Sequence, residues 1–275
     1  MLQQSRYRLY APFWQRERDV IPIGDDNPTL RTPIVTYAIA ALILFTWFFV
    51  QGAGFNEMRL VASVCNLGLV PGELTHLARL GEGVPIAPGV ACIVDNESIN
   101  AFTPITSMFL HGGWAHLIFN LVFFWVFGNN VEDSMGRGRF VAFYLLCGLS
   151  AAAAHVLVEP RSIVPTVGAS GAISGVMGGY LILYPRAHVR IFFPPFFFFW
   201  ARAWLVLVYW LVGQVLGGLP QLMEVDPEVS SGVAFWAHVG GFVAGIVLVM
   251  LFRNPRLVEA HRVARAAGNF TARWR

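Results

Sequence analysis

Six stretches of this chain carry no Asp, Glu, Lys or Arg: residues 32–56, 98–131, 140–158, 162–185, 203–223 and 229–252. A helix needs about 20 apolar residues to cross the ~30 Å hydrocarbon core of a bilayer. Five of the six stretches contain such a run. The fourth is shorter once its Gly and Pro flanks are trimmed, which leaves 171–184 as helix and starts that span part-way into the bilayer. Only 13% of residues are charged while 56% are hydrophobic, about half the charge of a soluble domain. So few charges do not cover a soluble surface, and a disordered chain needs the opposite balance. The expectation is an all-α polytopic membrane protein with six transmembrane helices.

The 19 basic residues are all Arg, and their placement orients the spans. Five lie in the N-terminal segment (Arg6 to Arg31) and six in the C-terminal one (Arg253 to Arg275); the span 2–3 turn adds Arg137 and Arg139, and the span 4–5 turn Arg186 and Arg190. The opposite side holds Arg59, Arg79 and Arg161, with Arg202 at the inner edge of span 5. Both termini are therefore expected in the cytoplasm. The organisation follows: a cytoplasmic tail 1–31, a membrane domain 32–252 with an outer loop at about 53–102, and an Arg-rich cytoplasmic tail 253–275. The net charge of +3 then reports topology, and no nucleic-acid partner is implied. Residues 1–31 have no apolar core of a signal peptide, which suits a bacterial cytoplasmic membrane. Segment 191–200, with Pro194, Pro195 and a run of Phe, is too short to span and is expected as an interfacial aromatic stretch. Cys65 and Cys92 fall on the outer loop, where they are either a disulfide or two buried thiols.

Ionisable groups at membrane depth are costly and mostly functional. No acid sits mid-span, which disfavours a transporter or proton pump; the polar residues are Ser, His and Asn instead. His116 and Asn120 are four apart in span 2, hence on one helical face, with His111 five residues earlier. Singly they read as polar residues bonded to neighbouring helices. Gly168-Ala169-Ser170-Gly171 opens the short span 4, where Ser is commonly an N-cap and Gly at four-residue spacing serves packing. His238 in span 6 is followed by Gly240, Gly241 and Gly245, and alone it reads as an interhelical hydrogen bond. Gly171 and Gly175 match Gly241 and Gly245 as small faces, which would bring His238 to Ser170. Taken together, a nucleophile, a base and an oxyanion donor are the needs of acyl transfer to water. Ser170, His238 and Asn120 fit those roles, and with no acid to orient the His, Ser170 and His238 would make a dyad.

The series His111, His116 and Asn120, the Gly168–Gly171 motif and the Ala237-His238-x-Gly240-Gly241 motif resemble the rhomboid intramembrane serine proteases. Glu132-x-x-x-Gly136-x-x-x-Phe140 is similar to the family's turn after span 2. The resemblance runs from about residue 32 to 252 and implies a six-helix bundle with a water-accessible site near the outer face. It implies Ser170 as nucleophile, His238 as general base, and Asn120, His116 and the Ser170 amide at the oxyanion. Gly168 and Gly171 allow a substrate backbone to approach. Substrates would be single-pass or multi-pass membrane proteins cleaved at helix-destabilised segments, with no metal or organic cofactor. A gate is implied between spans 2 and 5, with loop 220–231 as a cap. Polar residues Asn100, Thr103, Ser107 and His111 are expected along a water route. In one departure, Ser174 stands where many members stack an aromatic ring on the catalytic His. The rival reading is a catalytically inactive rhomboid-like protein that binds or escorts membrane clients.

Overall fold

The computed structural model describes residues 21–27, 29–87, 89–193, 195, 197–222 and 234–266. Strand β1 (Ile21–Asp25) leads into helix α1 (Ile34–Phe45), which continues through a π turn over Thr46–Val50. The long connection that follows holds α2 (Glu57–Leu67), α3 (Pro71–Leu74), a hairpin of β2 (Gly83–Ala87) and β3 (Val90–Ile93), and the single turn α4 (Thr103–Thr106). Then come α5 (Trp114–Met135), α6 (Arg137–Val158), α7 (Ser170–Leu183), β4 (His188–Phe193), β5 (Phe197–Arg202), α8 (Ala203–Leu222), α9 (Phe235–Phe252) and α10 (Pro255–Ala266). Helices α5, α6, α8 and α9 are long and apolar enough to cross a membrane; α1 with its π turn, and α7, are shorter apolar helices. Each falls on one of the six uncharged stretches, with the end of α5 and the start of α6 running into the charged turn between them. The expected cap loop lies almost wholly outside the described residues, as do most of the N-terminal tail and the end of the C-terminal one.

An all-α fold is not the whole description. Segment 191–200 is not a plain interfacial stretch: it supplies most of the β4–β5 hairpin, and β1 from the N-terminal segment pairs antiparallel on the other side of β4. Aromatic and β-branched residues favour strands. Pro195 falls in the turn, where no ladder amide is needed. Phe192 stacks on Phe198 at 5.0 Å, and Arg190 lies 5.2 Å over the Phe198 ring.

Helix α7 lies between α9, α6 and α5 at the middle of the bundle, and α8 leans on α9. Apolar burial does not draw helices together in lipid, so close packing of small residues has to. A Cβ placed at Gly241 would fall on the Gly171 carbonyl, and one at Gly245 on the Gly175 carbonyl. At Gly175 a Cβ would meet the Cys147 sulfur at 2.5 Å. Around this seam Phe124, Phe127, Phe140, Phe143, Tyr180 and Phe242 are fully buried. The outward faces of α1, α8 and α9, with the π turn, expose Leu42, Phe49, Tyr209, Leu216 and Leu251.

Carboxylates tie the first helix to this core. Glu132, near the end of α5, accepts the Val35 and Thr36 amides at 3.0 and 2.8 Å and the Thr36 hydroxyl at 2.8 Å. It thereby satisfies donors that a helix start leaves unpaired and complements the positive end of α1. Asp133 accepts the Leu30 amide at 2.9 Å and pairs with Arg31 at 2.9 Å. Gly136 then turns α5 into α6 at φ +83°, a conformation that favours glycine. A disulfide joins Cys65 on α2 to Cys92 on β3, with the Cα atoms 5.1 Å apart. Cys147 is a buried free thiol.

Candidate active site

Ser170 is the first residue of α7, and its hydroxyl does not cap the helix. Instead its Oγ lies 2.7 Å from His238 Nε2. His238 stands in the first turn of α9, and the glycine seam brings α9 close enough for this bond to form. The Gly171 carbonyl is the atom that a Cβ at Gly241 would strike, so any larger residue there moves the His away from the Ser. The first amides of a helix have no internal acceptor and sit at its positive end. The Ser170 amide is among them.

Gly168 takes φ +135°, and a Cβ on it would lie 2.7 Å from His116 Nε2 and 3.3 Å from Ser170 Oγ. The His116 ring and the Ser170 hydroxyl therefore crowd the same backbone atom, which has to be glycine. Asn120, one turn along α5, is buried and donates to the His116 carbonyl at 3.0 Å. All of these groups line a cavity of about 850 Å³ that runs from Gly112, Gly113 and Val167 to Ile21 and Pro22 on β1. Its walls come from α5, α6, α7, α8 and α9, and His155 joins them with its Nε2 2.9 Å from the Thr166 hydroxyl.

Other expected residues sit elsewhere. The fully buried His111 packs edge-on to His116 at 5.1 Å, and Gln51 clamps its backbone with bonds of 2.8 and 2.9 Å. Its ring nitrogens have no hydrogen-bond partner among the described residues. Of the polar residues expected along a water route, Ser107 lines the cavity. Thr103 is buried with its hydroxyl on the Asn100 carbonyl, and the Asn100 amide reaches Asp95 at 2.9 Å. Ser174 is buried and donates to the Ser170 carbonyl at 2.6 Å.

Two residues of the site are not anticipated from the sequence. Trp210 on α8 packs over the His238 ring, centroids 5.8 Å apart and tilted by 40°, so an aromatic contact arrives from α8 in place of α7. One turn later Gln214 puts its carboxamide Oε1 2.6 Å from His238 Nδ1. An uncharged polar residue in the middle of an apolar helix is a visible signal. The face it presents is not, because α8 is apolar almost all round.

A family model described as Rhomboid domain matches residues 100–255. Among curated proteins, the chain is 42% identical over 89 residues to Rhomboid protease GluP of Bacillus subtilis, covering 32% of this chain and 16% of that one. It is 38% identical over 152 residues to Putative rhomboid protease YdcA of the same organism, covering 55% and 62%. It is 28% identical over 152 residues to Rhomboid-like protein 11, chloroplastic, of Arabidopsis thaliana, covering 54% and 51%. The chain thus spans less than two thirds of the length of each of these relatives.

Proposed function

Because the chain belongs to the rhomboid family, we propose that it is an intramembrane serine endopeptidase with Ser170 as nucleophile and His238 as general base. The observation that carries this reading is the 2.7 Å contact between Ser170 Oγ and His238 Nε2, inside a cavity bounded by apolar helices. Ser170 attacks the scissile carbonyl carbon as its proton passes to His238 Nε2. The tetrahedral oxyanion forms beside the Ser170 amide, with Asn120 and His116 as further donors. Collapse breaks the C–N bond, and the departing amine takes the proton from Nε2. Water then attacks the ester, delivers its proton to Nε2, and Ser170 leaves as hydroxyl once the proton returns. Gly168 and Gly171 leave room for the substrate backbone, while Gly175, Gly241 and Gly245 hold α7 against α9.

The Arg asymmetry supports six spans with both termini in the cytoplasm, a membrane domain at 32–252, and tails at 1–31 and 253–275. The setting is a cell membrane, in keeping with the two bacterial relatives. Substrates are membrane-anchored proteins. A peptide bond in a transmembrane helix is already hydrogen-bonded, so segments weakened by Gly or Pro unwind into the site most readily.

The test is cleavage of a model transmembrane substrate in detergent by wild type and Ser170→Ala, with fluorophosphonate labelling alongside. Wild type should cleave and label; Ser170→Ala and His238→Ala should do neither. Cleavage retained by Ser170→Ala removes the nucleophile assignment. A wild type that binds substrate but neither cleaves nor labels is an escort protein.

A further inference from the structure

We infer that Gln214 is a positioning residue for His238: it holds the imidazole in the tautomer whose Nε2 lone pair faces Ser170. The kinetic part of this inference rests on the protease reading above; the geometric part does not.

A neutral imidazole has one N–H donor and one acceptor nitrogen, and its partners decide which is which. His238 has two close partners on opposite edges. Ser170 Oγ lies 2.7 Å from Nε2, and Gln214 Oε1 lies 2.6 Å from Nδ1. A hydroxyl fits either state, because it donates or accepts. A carboxamide oxygen only accepts, so Nδ1 must carry the proton, Nε2 must present its lone pair, and the Ser170 hydroxyl must donate to it. The other tautomer would set the Nδ1 lone pair against the Gln214 oxygen and turn an N–H toward the nucleophile, where it cannot take a proton. The amide thus does the orienting part of the task that a buried carboxylate does in a Ser-His-Asp site. It does so without placing a charge mid-span, which would be expensive.

A second observation points the same way. Trp210, one turn before Gln214, covers a face of the same ring and also stacks on Phe242 of α9, centroids 6.0 Å apart. Helix α8 therefore holds His238 by edge and by face, while Ser174 on α7 is turned away to the Ser170 carbonyl. The ring that the resemblance would have steadied from α7 is steadied from α8.

The test uses the full chain in detergent with 15N-labelled His, comparing wild type, Gln214→Leu, Gln214→Met and Gln214→Glu. Imidazole 15N shifts report the tautomer, and turnover of a transmembrane substrate gives kcat and KM. Wild type should show His238 as the Nδ1–H form. Leu and Met, which offer no oxygen acceptor at that position, should give mixed tautomers and lower kcat about tenfold or more with KM within about twofold. Glu, which restores an acceptor, should recover the Nδ1–H form and most of kcat. A mere packing role predicts the reverse order, since Leu suits an apolar helix and Glu does not. Nε2–H in the wild type, or unchanged tautomer and kcat in Gln214→Leu and Gln214→Met, overturns the inference. A wild type that cleaves nothing, yet loses Nδ1–H only in the Leu and Met variants, removes the protease reading and leaves the positioning role standing.

Discussion

At the scale of single residues, the candidate site consists of polar groups that an apolar bundle would otherwise exclude. Ser170, His238, His116 and Asn120 were legible in the sequence for that reason: against uncharged helices each polar side chain needs an explanation. Their partners were less legible. Asn120 has its amide on the His116 carbonyl in the structure, so it has a local role as well as the proposed one at the oxyanion. The two roles separate experimentally. Asn120→Ala should lower kcat by roughly two to three orders of magnitude if its amide stabilises the oxyanion. A loss of only about 1 kcal/mol of unfolding free energy, with kcat intact, would leave the internal hydrogen bond as its whole contribution.

At the scale of elements, helix packing sets the Ser170–His238 distance. Gly245→Val should push α9 from α7, because its Cβ would fall on the Gly175 carbonyl; the expected result is loss of fluorophosphonate labelling together with a lower melting temperature. A Cβ added to Gly138 on α6 would meet nothing within 4 Å. Gly138→Ala should therefore raise stability by about 0.5–1 kcal/mol and leave labelling unchanged. The disulfide closes a loop with a sequence separation of 27, which a chain-entropy argument values at about 3–4 kcal/mol. Paired Cys65→Ser and Cys92→Ser substitutions should speed limited proteolysis between α2 and β3 well before the bundle opens. The six apolar helices were readable from the charge gaps, with α7 beginning within a residue of its expected start, whereas the charged α2 and α10 lie outside those gaps and were not. The sheet was not. Its three strands come from two distant segments, so nothing local marks the β1–β4 pairing, and the β4–β5 hairpin is hidden because the run of Phe in β5 has no polar alternation.

At the scale of the whole molecule, the sheet and the site occupy opposite ends of α7. The Asp25 carboxyl on β1 accepts the Tyr180 hydroxyl at 2.5 Å and the Asn130 amide at 2.9 Å, which joins β1 to α7 and α5. Burial pushes the Asp25 pKa from 3.8 up to about 7. The folded state then binds this proton more tightly than the unfolded chain. The associated stabilisation is complete below about pH 4 and is lost as pH rises through about 7. Thermal unfolding in detergent should show wild type losing on the order of 4 kcal/mol between about pH 4 and pH 8 relative to Asp25→Asn. Equal pH slopes in the two proteins would remove Asp25 as the source.

The strand order β1-β4-β5 also dictates a timetable. Residues 21–25 leave the ribosome long before their hydrogen-bonding partner at 188–193, which does not exist until α1, α5, α6 and α7 have all been made. During synthesis β1 must wait with its edge unpaired, and the floor that Ile21 and Pro22 give to the cavity cannot close before β4 arrives. The newborn chain therefore completes the walls around Ser170 only after the hairpin has emerged, when α8 and α9 follow it and deliver Gln214 and His238.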